Sequence, residues 1–195
     1  MIAQTANAGT GLDRGHELDR GHEELDKLST RIATAAPGPD RTALVHGLCA
    51  HFVIHAQVEE RYLHPAVRRL LGDGDAEAAD QARRDQAVAR TIERVERTGA
   101  QDEEFDALVC RLVAGVQDHV EQQDAVLLPA LVRACSAEDI NLLSRQLRDG
   151  IPVARQAAER AGERTCGQAD GDPCCGGFRI LLRRIADGSL TDATG

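Results

Sequence analysis

Residues 44–65 read LVHGLCAHFVIHAQVEERYLHP, and one face of the helix they imply does not read as an ordinary core. Leu44, Leu48, His51, His55, Glu59 and Tyr62 fall within about 40° of a single line at roughly 100° per residue. The line opens with two leucines and continues as imidazole, imidazole, carboxylate and phenol. A buried helical stripe is ordinarily apolar throughout. A polar group withdrawn from water costs free energy unless something satisfies it. A metal ion is the simplest way to satisfy several on one stripe. The alternative is a polar face turned to solvent, and the leucines at the head of the line weigh against it.

The rest of the chain sets the frame for that stripe. At 195 residues there is room for one domain with a sizeable core. Hydrophobic residues make up 42% but aromatics only 2%, so the core must be built from Leu, Val, Ile and Ala, which suits packed helices. No alternating strand pattern occurs. A formal charge of −9, from 32 acidic and 23 basic residues, argues against nucleic acid or an anionic membrane as partner. No run approaches the ~20 apolar residues of a membrane span. The start, MIAQTANAGTGLDRG, lacks the basic region and apolar run of a secretory signal, so a cytoplasmic location is expected. The cysteines at 49, 110, 135, 166, 174 and 175 are then expected as thiols rather than a disulfide framework.

Breakers divide the chain. Residues 1–11 read as a loose tail. A first helix is expected over 12–36, stopped by Pro37-Gly38-Pro39, and a second over 41–71 with Asp40 as N-cap. Pro65 should kink the second helix or end a segment in it. A third helix follows over 76–98, and a fourth over 102–135, interrupted at Pro129. A fifth begins near 137, breaks at Gly150-Ile151-Pro152 and resumes to about 164. The fold expected is all-α: an up-down-up-down four-helix bundle over 12–135. Residues 136–195 form a helical extension with the loop CGQADGDPCCGG and a short last helix, FRILLRRIADG.

The second and fourth helices share a spacing. His55 precedes Pro65 by ten residues in HAQVEERYLHP, and His119 precedes Pro129 by ten in HVEQQDAVLLP. In each, an acid follows the histidine by four or five residues, and the proline comes about one turn later. His119 aligns with Leu112, Val116, Val126 and Leu127 to within roughly a turn-edge and should face inward. Gln123 shares its line, whereas Asp124 lies roughly 140° away in an ideal helix. Asp124 must therefore reach around, sit on a locally distorted helix, or be a surface charge. The first helix offers His16 or His22, one in each copy of a short LDRGH duplication; His22, between Leu18 and Leu25, is the better inward candidate.

On these paired His…acid…Pro segments the chain resembles the hemerythrin-like, or HHE cation-binding, domain family. The resemblance covers roughly residues 12–135. It implies a four-helix bundle around a non-haem centre of two iron ions, with a single Fe, Mn or Zn as the alternative. Carried over residue by residue, it implies His22, His55, Glu59, His119 and Asp124 as metal ligands, with Glu59 and Asp124 bridging. The departure is the third helix, which has no histidine and carries Asp85-Gln86 about where the family has one. Tyr62, His51 and Asp85 are the candidate substitutes, and a Tyr62 phenolate would favour the ferric state. His64 reads as surface or as support to the ligands, and His46 lies off the ligand line. Cys49 and Cys110 read as buried structural thiols, as free cysteine commonly is.

The function this implies is O2 or peroxide binding or activation, leaning toward a di-iron oxidoreductase. An oxidase or oxygenase of a small organic substrate is one alternative. A redox or O2 sensor using Cys166, Cys174 and Cys175 is another; a flexible loop with thiols is the plainer reading of those residues. The partners expected are O2, peroxide or a small molecule, with a homodimer left open.

Overall fold

The computed structural model describes residues 16–166. The expected N-terminal tail, the expected loop with Cys174 and Cys175 and the expected FRILLRRI helix lie outside the described residues, as do the side chains of residues 16–19 and 161–166, His16 and Cys166 among them. The described chain is helical, with α1 at His16–Thr34, α2 at Pro39–Val58, α3 at His64–Leu70, α4 at Gly74–Arg97, α5 at Glu103–Gln122, α6 at Leu128–Ala134 and α7 at Ala137–Cys166. Two single π turns, π1 at Glu59–Leu63 and π2 at Gln123–Leu127, join α2 to α3 and α5 to α6. The units α2-π1-α3 and α5-π2-α6 are thus two long helices. With α1 and α4 they make the up-down-up-down bundle, and α7 is a fifth helix laid against α2, α1 and π1.

The π turns follow from the prolines. Pro65 and Pro129 have no N–H, and a proline ring excludes the carbonyl four residues earlier. The chain widens by one residue instead of breaking. The His64 N–H then reaches the Glu59 carbonyl, and the Leu128 N–H reaches the Gln123 carbonyl, five residues back in each case. Such π bulges often mark functional sites. Beyond each one, the side chains are out of phase with the ideal-helix line. On π1 this buries Leu63 and leaves Tyr62 half-buried.

Two other helix expectations change. The second helix starts at Pro39, with Gly38 before it and Asp40 in the first turn, where its charge favours the helix dipole without a side-chain cap. The fifth helix does not break at Gly150-Ile151-Pro152 but runs through Pro152. Gly150 is needed there because α7 closes on π1: a Cβ on it would lie 2.5 Å from Tyr62 Cε2 and 3.4 Å from Val58 Cγ1. Gly150→Ala is therefore expected to destabilise, since overpacking costs about 1–3 kcal/mol while helix propensity returns only about 1. Chemical denaturation should show the sign reversing in a Tyr62→Ala background, where the propensity gain is no longer opposed.

The apolar core has two parts. One is built from Leu25, Leu48, Phe52, Ile92 and Leu112 with their neighbours, and contains the buried thiol of Cys49, whereas Cys110, expected inside as well, is exposed on α5. The other holds Val58, Leu63, Val67, Leu127, Leu131 and Leu147 and joins α7 to the bundle. The candidate site lies where α2 and α5 pass into their π turns, at the junction of the two.

Candidate metal centre

Three of the long helices bring four side chains to one point. His22 comes from α1, His55 from α2, Glu59 from π1 and His119 from α5. Their ligand atoms lie within 4.8 Å of one another, close to the ~4.2 Å maximum for two atoms each ~2.1 Å from one ion. The imidazole centroids are 5.1 Å apart for His22–His55, 5.4 Å for His55–His119 and 6.2 Å for His22–His119. All four residues are buried, Glu59 and His119 completely. A second group, Glu59, His64 and Asp85, shares the Glu59 carboxylate and is also buried.

The contacts in this cluster are close without being hydrogen bonds. His55 Nε2 is 3.1 Å from Glu59 Oε1, His119 Nε2 is 3.4 Å from Glu59 Oε2, and His119 Nδ1 is 3.0 Å from Asp85 Oδ1. Yet each of these atoms lacks a hydrogen-bond partner among the described residues, as do His22 Nε2 and His64 Nε2. Buried polar atoms are nearly always hydrogen-bonded. Here they gather within 4.8 Å of one another in each group without hydrogen bonds between them, as ligands of a cation do. Three imidazoles with a carboxylate suit iron, manganese or zinc, so the residues present fit a metal.

The electrostatics follow from this crowding. Burial pushes the His55 imidazole down, only partly opposed by Glu59. Burial works against the Glu59 carboxylate, but His55, His119 and His22 hold its carboxyl well below the usual range. Burial likewise opposes the His119 imidazolium, but Glu59 and Asp85 push its pKa up to about 9. A metal would take over the role that this proton has in the metal-free protein.

The remaining candidates are placed differently. Asp124 has a 48% exposed side chain and lies 2.7 Å from His22 Nδ1. The π2 turn lets it reach α1, and its carboxylate fixes the ring so that Nε2 faces the centre, as carboxylates do behind ligating histidines. His51, half-buried one turn before His55, is outside both groups, and its imidazole is depressed by burial and then by His55. The Tyr62 ring packs on Gly150 and under the Arg61 guanidinium. Asp85 enters the second group with His64. His64 does not face solvent: it is 2% exposed, because the π1 turn swings it toward α4.

Sequence reasoning missed two further participants. Gln81, one turn before Asp85 on α4, receives a hydrogen bond from buried Gln123 at 3.2 Å and donates to Glu77 at 2.9 Å and to Gln122, walling the centre with amides. Gly21 lets α1 press on α2: a Cβ there would lie 2.9 Å from His55 Nδ1. Its signal was the glycine preceding the histidine in the repeated LDRGH. Gly21→Ala is expected to weaken metal binding about tenfold or more, because the His55 ring must move. The metal-free protein should hold its thermal midpoint within a few degrees, since alanine adds about 1 kcal/mol of helix propensity. Metal titration beside thermal denaturation checks both.

A helical bundle with a buried His/carboxylate cluster is an arrangement suited to binding a cation. The sequence pattern of the hemerythrin HHE cation binding domain matches residues 14–131. The chain belongs to that family. It is 29% identical over 117 residues to a DNA nickase from Nostoc sp., a match covering 60% of this chain and 31% of that protein. The chain thus spans about a third of that relative's length. In fold it is similar to the crystal structure of a hemerythrin HHE cation binding domain-containing protein from Mycobacterium kansasii. The TM-score is 0.69 at 17% identity, covering 92% of this chain and 99% of that one. Among the described residues no helix is long and apolar enough to cross a membrane.

Proposed function

We propose that the chain is a non-haem di-iron protein that binds or activates O2 or peroxide inside the bundle. The observation that carries this reading is the set of buried nitrogen and oxygen atoms of His22, His55, Glu59, His64, Asp85 and His119 that lack hydrogen-bond partners among the described residues. His22, His55, Glu59 and His119 would hold one ion, with Glu59 shared toward the other. Bound iron would supply electrons to a small oxidant. The chain's own part is positioning and exclusion. Asp124 orients His22, and Phe52 lies edge-on to His119 with a centroid distance of 5.3 Å. Leu25, Leu48 and Leu112 keep water away. The nickase activity named for the Nostoc relative is not carried over. The matched segment is a minority of that protein, and a charge of −9 is a poor footing on DNA.

The test is anaerobic loading with Fe(II), metal counting, and then exposure to O2 or hydrogen peroxide with optical recording. Iron-dependent optical change or peroxide turnover, lost in His119→Ala, is expected. Zinc alone in the purified protein, with no response to iron loading, would overturn the di-iron reading. Activity changed under oxidant only by Cys174→Ser with Cys175→Ser would move it toward a sensor.

A further inference from the structure

The third long helix lacks the histidine that the resemblance leads one to expect, and an ordinary reading would leave the centre with one complete metal position. We infer that His64 and Asp85, sharing the Glu59 carboxylate, form a second and oxygen-rich metal position, distinct in chemistry from the histidine-rich one. This deepens the di-iron reading and rests on it only for the presence of metal.

The internal pseudo-symmetry of the chain identifies what is unusual. The segments His55–Pro65 and His119–Pro129 share one register: histidine, π turn, proline. In that register Glu59 corresponds to Gln123, and His64, the residue before the proline, corresponds to Leu128. One half thus carries a carboxylate and an imidazole where the other carries an amide and an aliphatic chain. Both extra groups are buried, Glu59 at 0% and His64 at 2% exposure, and both turn toward α4, where Asp85 is 3% exposed. A histidine placed there only for packing would satisfy its ring nitrogen. His64 Nε2 instead stands 3.5 Å from Asp85 Oδ2 with no hydrogen bond made, and Asp85 Oδ1 is likewise without one among the described residues.

Charge points the same way. An unpaired buried charge costs several kcal/mol. One ion in the histidine-rich position faces Glu59 but leaves the buried Asp85 carboxylate facing only the imidazoles of His119 and His64. A second cation between Glu59, His64 and Asp85 satisfies both carboxylates. Two carboxylates with one imidazole make a harder donor set than three imidazoles with one carboxylate, so this position favours harder first-row cations such as Mn(II) or Fe(III). The buried Gln81–Gln123 amide pair, one turn before Asp85 on α4 and one turn after His119, adds no charge of its own.

The experiment is stoichiometry, read independently of any turnover. Metal-free full-length protein is titrated with Zn(II) and, separately, with Mn(II), and bound metal is counted after desalting. Wild type should bind two ions per chain, in two phases for zinc. His64→Ala and the near-isosteric Asp85→Asn should each lose one ion, keeping the tighter zinc phase within about threefold. His22→Ala should lose the other phase, and Mn(II) should fill the position removed by His64→Ala. Circular dichroism and a melting curve establish that each variant is folded; Asp85→Asn retains the shape of the site if His64→Ala does not fold. Two ions retained in both variants would overturn the inference, as would a single wild-type ion indifferent to both substitutions. Failure of the O2 or peroxide assay with two ions counted would sink the proposed function and leave this position standing.

Discussion

Glu59→Gln will leave a folded bundle that no longer gains stability from metal. The carboxylate is the one group common to both ligand sets, and it is completely buried. Glutamine preserves its shape while removing the charge and one of its two oxygen donors. Neither position then keeps an anionic bridge, and the three imidazoles around His22 hold a divalent cation without charge compensation. At free metal about a thousand times Kd, a bound ion stabilises by about 4 kcal/mol, on the order of 10 °C in a domain of this size. That increment should fall to about 2 °C or less in Glu59→Gln, measured as the melting shift on adding Fe(II) anaerobically. The far-ultraviolet dichroism of the metal-free variant should match wild type, because the core clusters on either side are untouched. A variant that kept the full shift and two ions per chain would show that the orphaned atoms are satisfied in some other way.

Which parts of this centre could be read from the residues depends on where the helical phase holds. Up to Val58 on α2 and Gln122 on α5 the backbone is regular α-helix, so the ideal 100° step puts His55 and His119 inside, as the structure does. Past those points each π turn adds a residue. Tyr62, on the extrapolated line, moves onto α7, and His64, extrapolated to the opposite face, moves into the bundle. Asp124 gains its reach to His22 for the same reason. The signal lay in the sequence, in the proline ten residues beyond each histidine. A proline by itself implies a kink or an end, and nothing in its position alone distinguishes these from an inserted residue. The absence of histidine on α4 was legible, but the pairing of Asp85 with His64 was not, because it needs the corrected phase. Gly21 and Gly150 mark approaches between helices distant in sequence, which periodicity within one helix does not report. The bundle itself was the easier part: short connections and aliphatic stripes leave long helices few ways to pack.

The apolar wall of the centre gives the second large effect. Phe52 is completely buried, three residues before His55 on α2, and its ring meets His119 edge-on at 5.3 Å. It is the bulkiest of the fully buried side chains, in a chain with few aromatics to close the space again. Phe52→Ala should therefore cost about 3–5 kcal/mol, a large part of the ~5–15 kcal/mol that holds a domain folded. Phe52→Leu, which refills most of the volume, should cost about 1.5 kcal/mol or less. Equilibrium denaturation of the metal-free proteins measures both. The two variants also separate packing from protection of the site. His119 keeps Glu59 and Asp85 beside it in either case, so the number of ions bound should not change. Loss of bound metal to a chelator should nevertheless quicken severalfold in Phe52→Ala and little in Phe52→Leu, because only alanine opens a path for water to the His119 ring. Equal chelator rates in the two variants would assign Phe52 to the core alone and remove it from the account of how the centre is kept dry.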